Sequence, residues 1–586
     1  MLRDASDGIY TLSLFPPPLA EVAGTSAGVV YTKPWVAELL LSLSGYDASA
    51  DLASRRAVEP AAGDGAFALP MVERLLASSM RHGHPIQSCG EALLLYEVDA
   101  EAAARLRTAV IARLRGAEIH VEDARRLAAS WVRCGDYLLD APQLPGADLV
   151  VGNPPYIRLE DVSMERMAWY RNMYPTMRGR ADLYIAFYEA ALRQLNPGGL
   201  CTFICADRWM LNQYGADLRQ LITSSYGVET VIEMHDAEPF ADDVAAYPAV
   251  TVIRRSSQGG AVVAHLDAAA EHAGATTLSA ALLQLRQGGA PPLPRGMRGA
   301  RLDHWFSADD PWPCTSPERL ALLARLEAEF RPLEDAETGT RVGIGVATGA
   351  DDVFITADSS IVEAERLLPL AMSRDTTAGE VIWSGRYLIN PWDAQGLVAL
   401  DAHPRMAAYL SLHSLRLKDR HVAKRSGQGW YRTIDRVTDG LLERPKLYIP
   451  DIKDSLHPVL DSGSTYPHHN LYYLVSDRWD LEVLGGLLMS AIGQFFLECY
   501  SVRMQNGYIR FQAQYLRRIR VPRPQEIPPE VAAALKEAFR RRDQAAATRA
   551  ALLAYGVPAV SEEHTHVATR CSAVGWCESA YIRLPA

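Results

Sequence analysis

Residues 148–159 read DLVVGNPPYIRL, an apolar run that stops in an asparagine, two prolines and a tyrosine. The run has the composition of a buried strand, and its end is the least regular dipeptide a chain can offer. Proline lacks a backbone donor and fixes φ, so Pro154 and Pro155 end the ladder and hold the backbone rigid, leaving their carbonyls free to accept. A rigid tip at the carboxyl end of a central strand is where open α/β sheets bind ligands. A plain strand-to-loop turn would use the same residues, so the surrounding sequence decides between the two.

Working outward from this strand, short apolar runs alternate with helical patterns from Tyr31 to about Arg255, as a doubly wound α/β sheet requires. YTKPWVAELLLSLSGY places a proline at a helix start and apolar residues at helical spacing. RRAVEPAAGDGAF runs from a strand into a glycine-rich turn, and EALLLYEVDAEAAARLR from a strand through an acidic turn into a helix. AEIHVEDARRL, DLVVGNPPY and GGLCTFICADRWM read as further strands, and VETVIEMHDAEPF and YPAVTVIRR close the set. The expected boundaries are a catalytic domain over 1–255, a glycine-, alanine- and proline-rich connecting region over 256–331, an α+β domain over 332–525, and a helical segment with a tail over 526–586.

The bulk properties are those of a soluble multidomain protein. A chain of 586 residues exceeds one compact core, and 48% hydrophobic with 22% charged residues is ordinary for globular proteins. No stretch approaches the roughly 18 to 20 apolar residues of a membrane span, and prolines stand where a secretory segment would be apolar, so a cytoplasmic protein is expected. Eight scattered cysteines fit a reducing compartment. The net charge of -11 argues against indiscriminate coating of nucleic acid but permits a local basic patch.

Several strand ends carry side chains suited to a nucleotide-like ligand. In EPAAGDGAF, Glu59, Pro60, Ala61, Gly63, Asp64 and Gly65 form a tight acidic turn. It lacks the Gly-Lys-Ser/Thr of a phosphate loop, and its carboxylates favour a cationic or hydroxyl-bearing ligand. Glu97 ends the next strand, where dinucleotide folds place an acid on a ribose. Asp123 is expected to end a third strand and to accept from an adenine amino group.

The order Thr32-Lys33-Pro34, EPAAGDGAF, Glu97, Asp123, Asn153-Pro154-Pro155-Tyr156 and the strand ending at Phe240 resembles the S-adenosylmethionine-dependent N6-adenine DNA methyltransferases of restriction–modification systems, specifically the gamma class of TaqI-type methylases. The resemblance implies a Rossmann-like doubly wound mixed sheet of the class I methyltransferase type, with a C-terminal α+β target-recognition domain and DNA held between the two. It implies that Thr32, Glu59, Ala61, Glu97, Asp123 and Pro155 line the pocket for S-adenosyl-L-methionine, with Pro60, Gly63, Asp64, Gly65 and Asn153 beside them. Asn153, Pro154, Pro155, Tyr156 and Phe240 are the implied catalytic set: an amide and a peptide oxygen grip the amine of a flipped-out base, and two aromatic rings flank it. The acidic stretch after Phe240 departs from the lysine-containing pattern frequent in the family.

Contact with duplex DNA is expected from two basic, aromatic runs, through Lys424, Arg425, Trp430, Tyr431 and Arg432, and through Arg510, Arg517 and Arg518. His564, His566, Cys571 and Cys577 in the tail match no common zinc spacing, so no metal is expected. The reading is therefore a monomeric modification enzyme, with any restriction endonuclease encoded separately. The alternatives are a methyltransferase acting on protein glutamine or RNA, or a non-catalytic DNA-recognition subunit that keeps the methylase fold.

Overall fold

The short apolar runs of the first half pair into a nine-stranded sheet in the order β3-β2-β1-β4-β5-β7-β6-β8-β9. These are β1 Ala57–Glu59, β2 Leu93–Glu97, β3 Val132–Cys134, β4 Ala147–Gly152, β5 Leu195–Ala206, β6 Gly227–Asp236, β7 Pro248–Arg254, β8 Ala261–Asp267 and β9 Met297–Leu302. The computed structural model describes residues 30–157, 161–241, 247–303, 305–426, 429–453, 455–501 and 509–557. The chain divides into two compact units between Leu320 and Ala321. In the first, β3, β2, β1, β4 and β5 are parallel, whereas β7 runs antiparallel between β5 and β6.

Strand pleating explains why these runs are apolar without alternation. Leu93 and Leu95 of β2, with Leu149 and Val151 of β4, enter one core, while Leu94, Tyr96 and Val150 enter the core on the other face. Helices α1 (Pro34–Leu43), α2 (Ala68–His82), α3 (Ala100–Gly116) and α4 (Val121–Trp131) supply the first core. After the short turn α5 (Tyr137–Asp140), helices α6 (Met164–Met173) and α7 (Tyr184–Gln194) supply the second. Full burial of each branched side chain in β4 contributes about 1.5–3 kcal/mol.

The fold departs from two expectations. AEIHVEDARRL is not a strand: residues 121–131 form α4, with Glu122 and Asp123 in its first turn and Ala124, Leu127, Ala128 and Trp131 buried at helical spacing. The third strand is the following three residues, Val132–Cys134. Residues 256–331 are not simply a connector either, because β8 and β9 extend the sheet and the helix Ala275–Arg286 packs against α1. All residues of AVVAHL are buried, so the strand shows no alternation that would mark it in sequence.

The second unit holds two four-stranded sheets. One orders Arg341–Ile344, Leu471–Val475, Lys446–Pro450 and Val459–Asp461; the other Ile355–Thr356, Tyr387–Ile389, Leu367–Ala371 and Tyr466–Pro467. Lys446 Nζ and Asp461 Oδ2 meet at 2.7 Å with both side chains fully buried. The helical segment expected near the C-terminus is a pair, Pro529–Arg541 and Gln544–Ala554, packed on Leu481–Met489. Close approach there requires glycine: a Cβ on Gly485 would lie 2.4 Å from the Phe539 ring. Among the described residues no single helix is long and apolar enough to cross a membrane. The tail with His564, His566, Cys571 and Cys577 lies outside the described residues.

Candidate active site

Strand order reverses between β1 and β4, so the loops after their carboxyl ends diverge and leave a crevice. A cavity of about 580 Å³ occupies it, a volume typical of small-molecule sites. Its lining includes Thr32, Glu59, Pro60, Ala61, Gly63, Asp64, Glu97, Asp136, Asn153, Pro154, Pro155 and Tyr156. Parallel register explains the convergence: Glu59 ends β1, Glu97 ends β2, and Asn153 follows the last residue of β4, all at one edge.

The glycine-rich turn is held from below. Glu97 Oε2 accepts from the Gly63 N–H at 2.8 Å and its Oε1 from the Asp99 N–H at 2.8 Å, so this carboxylate braces the turn to the start of α3. Gly65 has φ +95°, and a Cβ there would lie 2.9 Å from Leu106 Cδ1, which explains glycine at that position and its place outside the lining. Glu59 is buried, and among the described residues its Oε2 has no partner. Burial, reinforced by the charge of Glu97, raises its pKa well above the usual carboxylate range. A buried carboxylate with an open oxygen suits a cationic ligand. Asp64 is exposed and pairs with Arg105 at 3.3 Å.

Asp123 does not reach the cavity. It sits in the first turn of α4, 3.1 Å from Arg126. The acid that follows β3 and lines the cavity is Asp136. Its Oδ1 accepts from the Leu138 N–H at 3.0 Å, and its Oδ2 from Arg166 at 2.7 Å and the Tyr170 hydroxyl at 2.6 Å. Burial raises its pKa, partly offset by Tyr170 and Arg166. The sequence signal was the Gly-Asp pair after VRC, a strand too short to stand out.

At the rigid tip, Asn153 Nδ2 donates to the Val30 carbonyl at 3.1 Å and to Thr32 Oγ1 at 3.2 Å. Asn153 Oδ1 is buried and has no partner among the described residues. Tyr156 lines the cavity and meets Phe240 edge to face, with ring centroids 6.0 Å apart at 79°. Phe240 is buried behind Tyr156 and is not part of the lining, so the two rings do not form an open parallel slot here. Part of the acidic stretch after it, residues 242–246, lies outside the described residues.

The cations expected to meet DNA fall into two groups. Lys424 and Arg425 are exposed, Lys424 pairing with Asp419 at 2.8 Å. Of the others, Trp430, Tyr431, Arg432, Arg517 and Arg518 make contacts within the second unit, Arg517 while remaining exposed. Tyr431 donates to the Val398 carbonyl at 2.7 Å, Trp430 lies under Lys418 at 5.3 Å, and the Arg432 guanidinium covers Trp392 at 5.3 Å. Arg517 donates to Glu334 at 3.1 Å and to the Val342 carbonyl at 2.9 Å, and Arg518 stacks over Tyr500 at 5.1 Å. Arg510 belongs to the short strand Ile509–Arg510, and its side chain lies outside the described part.

A doubly wound sheet with a nucleotide-sized cavity at its switch point, an acid after each of three adjacent strands and an amide presenting an open carbonyl defines a Rossmann-like ligand-binding enzyme. Comparison with known proteins makes this specific. The family model described as Eco57I restriction-modification methylase matches residues 137–240. The chain is 42% identical over 546 residues to the Type II methyltransferase M.PaeR7I of Pseudomonas aeruginosa, covering 92% of this chain and 93% of that protein. It is 39% identical to the Type II methyltransferase M.XhoI of Xanthomonas vasicola, covering 90% of this chain and 97% of the relative. Among solved structures, the Type IIL restriction-modification enzyme MmeI in complex with DNA aligns with a TM-score of 0.54 at 11% identity, over 92% of this chain and 75% of that one. The chain belongs to the Type II methyltransferases of restriction–modification systems.

Proposed function

We propose that this protein transfers a methyl group from S-adenosyl-L-methionine to the N6 amine of an adenine flipped out of duplex DNA, as the site-specific modification enzyme of a cytoplasmic restriction–modification system. The observation that carries the reading is Asn153: its amide N–H groups are engaged by the protein, and its buried Oδ1 is left open at the cavity.

An exocyclic amine conjugated to a purine ring is a weak nucleophile, because its lone pair is delocalised. Asn153 Oδ1 and the Pro154 carbonyl, on the same proline-locked tip, are suited to accept its two N–H groups. Those hydrogen bonds turn the lone pair away from the ring and favour the positive charge that develops on nitrogen. S-adenosyl-L-methionine, when bound, supplies a methyl on a sulfonium, an electrophile that needs no enzyme nucleophile. The chain's residues fit it: Glu59, with its open oxygen, suits the cationic portion, Asp136 an adenine amino group, and Glu97 the ribose side of the turn. Flipping costs a few kcal/mol, and stacking on Tyr156 offsets about 1–3 kcal/mol of it. Methylation of the held amine would release the sulfide as leaving group and one amine proton to solvent, and Asn153 would remain neutral throughout.

Lys424 and Arg425 are the proposed DNA contacts: both are exposed, and among the described residues neither is held by a backbone carbonyl or a ring, whereas the likewise exposed Arg517 is held by Glu334 and the Val342 carbonyl. The test is methyl transfer from labelled cofactor to duplex DNA, followed by nucleoside analysis and long-read mapping of the marked site. The expected product is N6-methyladenine in one short sequence. Methyl on cytosine, on RNA or on protein glutamine, or no transfer at all, overturns the proposal.

A further inference from the structure

An asparagine amide has nearly the same outline in either orientation, so something must decide which end faces the cavity. If the Asn153 amide were rotated by 180°, Oδ1 would face the Val30 carbonyl, and two acceptors at about hydrogen-bonding distance repel. The Thr32 hydroxyl can donate or accept, so it does not discriminate alone. Paired with Val30 it provides the second acceptor for the amide's second N–H, at 3.2 Å.

The segment that carries these acceptors is tied to a second part of the site. Thr32 and Phe240 form an antiparallel bridge, with the Lys33 N–H donating to the Pro239 carbonyl and the Ala241 N–H to the Tyr31 carbonyl, each at 2.9 Å. Lys33 Nζ adds ion pairs to Glu238 at 3.5 Å and Glu271 at 3.3 Å. Thr32 is itself buried.

We infer that the segment Val30–Lys33 is a positioning clamp, in which the Val30 carbonyl and the Thr32 hydroxyl hold Asn153 with its carbonyl toward the reacting amine and the bridge to Phe240 registers the clamp to the aromatic wall. The inference rests on the proposed role of Asn153 as acceptor for an exocyclic amine. Thr32 is thus a positioning residue acting through Asn153, rather than the cofactor ligand the family resemblance implied.

Thr32→Val keeps the shape of the side chain and removes its acceptor. Single-turnover methyl transfer should slow about three- to tenfold, the rate equivalent of one neutral hydrogen bond. The Kd for S-adenosyl-L-methionine by calorimetry should stay within about twofold. Thr32→Ser should restore the rate, and Thr32→Ala should not. If Thr32→Val folds poorly, the Ser and Ala pair decides the matter by the same readouts. A tenfold loss of cofactor affinity with an unchanged transfer rate would make Thr32 a ligand and overturn the clamp, as would unchanged rates in both Val and Ala variants. Nucleoside analysis of the wild-type product separately tests the adenine assignment, since the variant-to-wild-type ratio reports the clamp for whichever exocyclic amine is methylated.

Discussion

A buried polar atom with no partner is costly, and among the described residues those lining the cavity include Asn153 Oδ1 and Glu59 Oε2. Each predicts a different failure when removed. Asn153→Ala deletes the proposed acceptor for the reacting amine, so single-turnover transfer should fall at least about a hundredfold while calorimetric affinity for S-adenosyl-L-methionine changes little. For Glu59 the signature is in pH. Burial and then the Glu97 charge raise its pKa, so in the free protein it binds a proton that an unfolded carboxylate, near about pH 4.3, would already have released. Free-protein stability therefore declines as pH rises from that value through the raised one, and a cationic ligand must displace the proton. Cofactor affinity should weaken as pH falls through the raised pKa, up to about tenfold per unit, with proton release on binding. Glu59→Gln should weaken binding, abolish this dependence in calorimetry and raise the thermal midpoint of the free protein.

At the scale of elements, motifs at strand ends were legible because a strand's period and its terminating residues are local. Glu59, Glu97 and Asn153 stand at one edge as their positions after apolar runs implied. The third acid was misplaced because α4 and β3 compete for the same stretch: the apolar spacing from Ala124 to Trp131 suits a helix, and the strand that aims Asp136 has only three residues. A further network was invisible in sequence. Across β5, β6 and β8, His235 lies 2.7 Å from Asp207 and 2.8 Å from Glu233, and His265 3.1 Å from Glu233. Burial alone would lower the His235 pKa, but Glu233 and Asp207 outweigh it and push it up to about 10. Its stabilising contribution is complete below the unfolded value of about 6.5 and is lost as pH rises through about 10. His235→Gln should therefore destabilise the protein by about 3 kcal/mol below pH 6.5 in denaturant melts, with the difference from wild type shrinking toward pH 10.

For the whole molecule, charge runs in sequence do not distinguish cations that face solvent from cations that bind the protein's own carbonyls and rings. In the second unit the structure separates them. Lys424→Ala with Arg425→Ala should weaken duplex binding for all sequences alike and lower the slope of log K against log salt by about two, without moving the thermal midpoint. Arg517→Ala, which loses Glu334 and the Val342 carbonyl, should instead cost about 1 kcal/mol of stability and leave the salt slope unchanged; a changed slope would return Arg517 to the DNA-contacting group. Taken alone, the sequence determined the doubly wound core, the acidic glycine turn and the amide-bearing tip, because periodicity, turn chemistry and proline geometry act over a few residues. Only the tertiary structure decided that Asp136 rather than Asp123 meets the cavity, that residues 261–302 extend the sheet, and which way the Asn153 amide faces. Those outcomes depend on partners far apart along the chain, such as Val30 and Asn153, that only folding brings into contact.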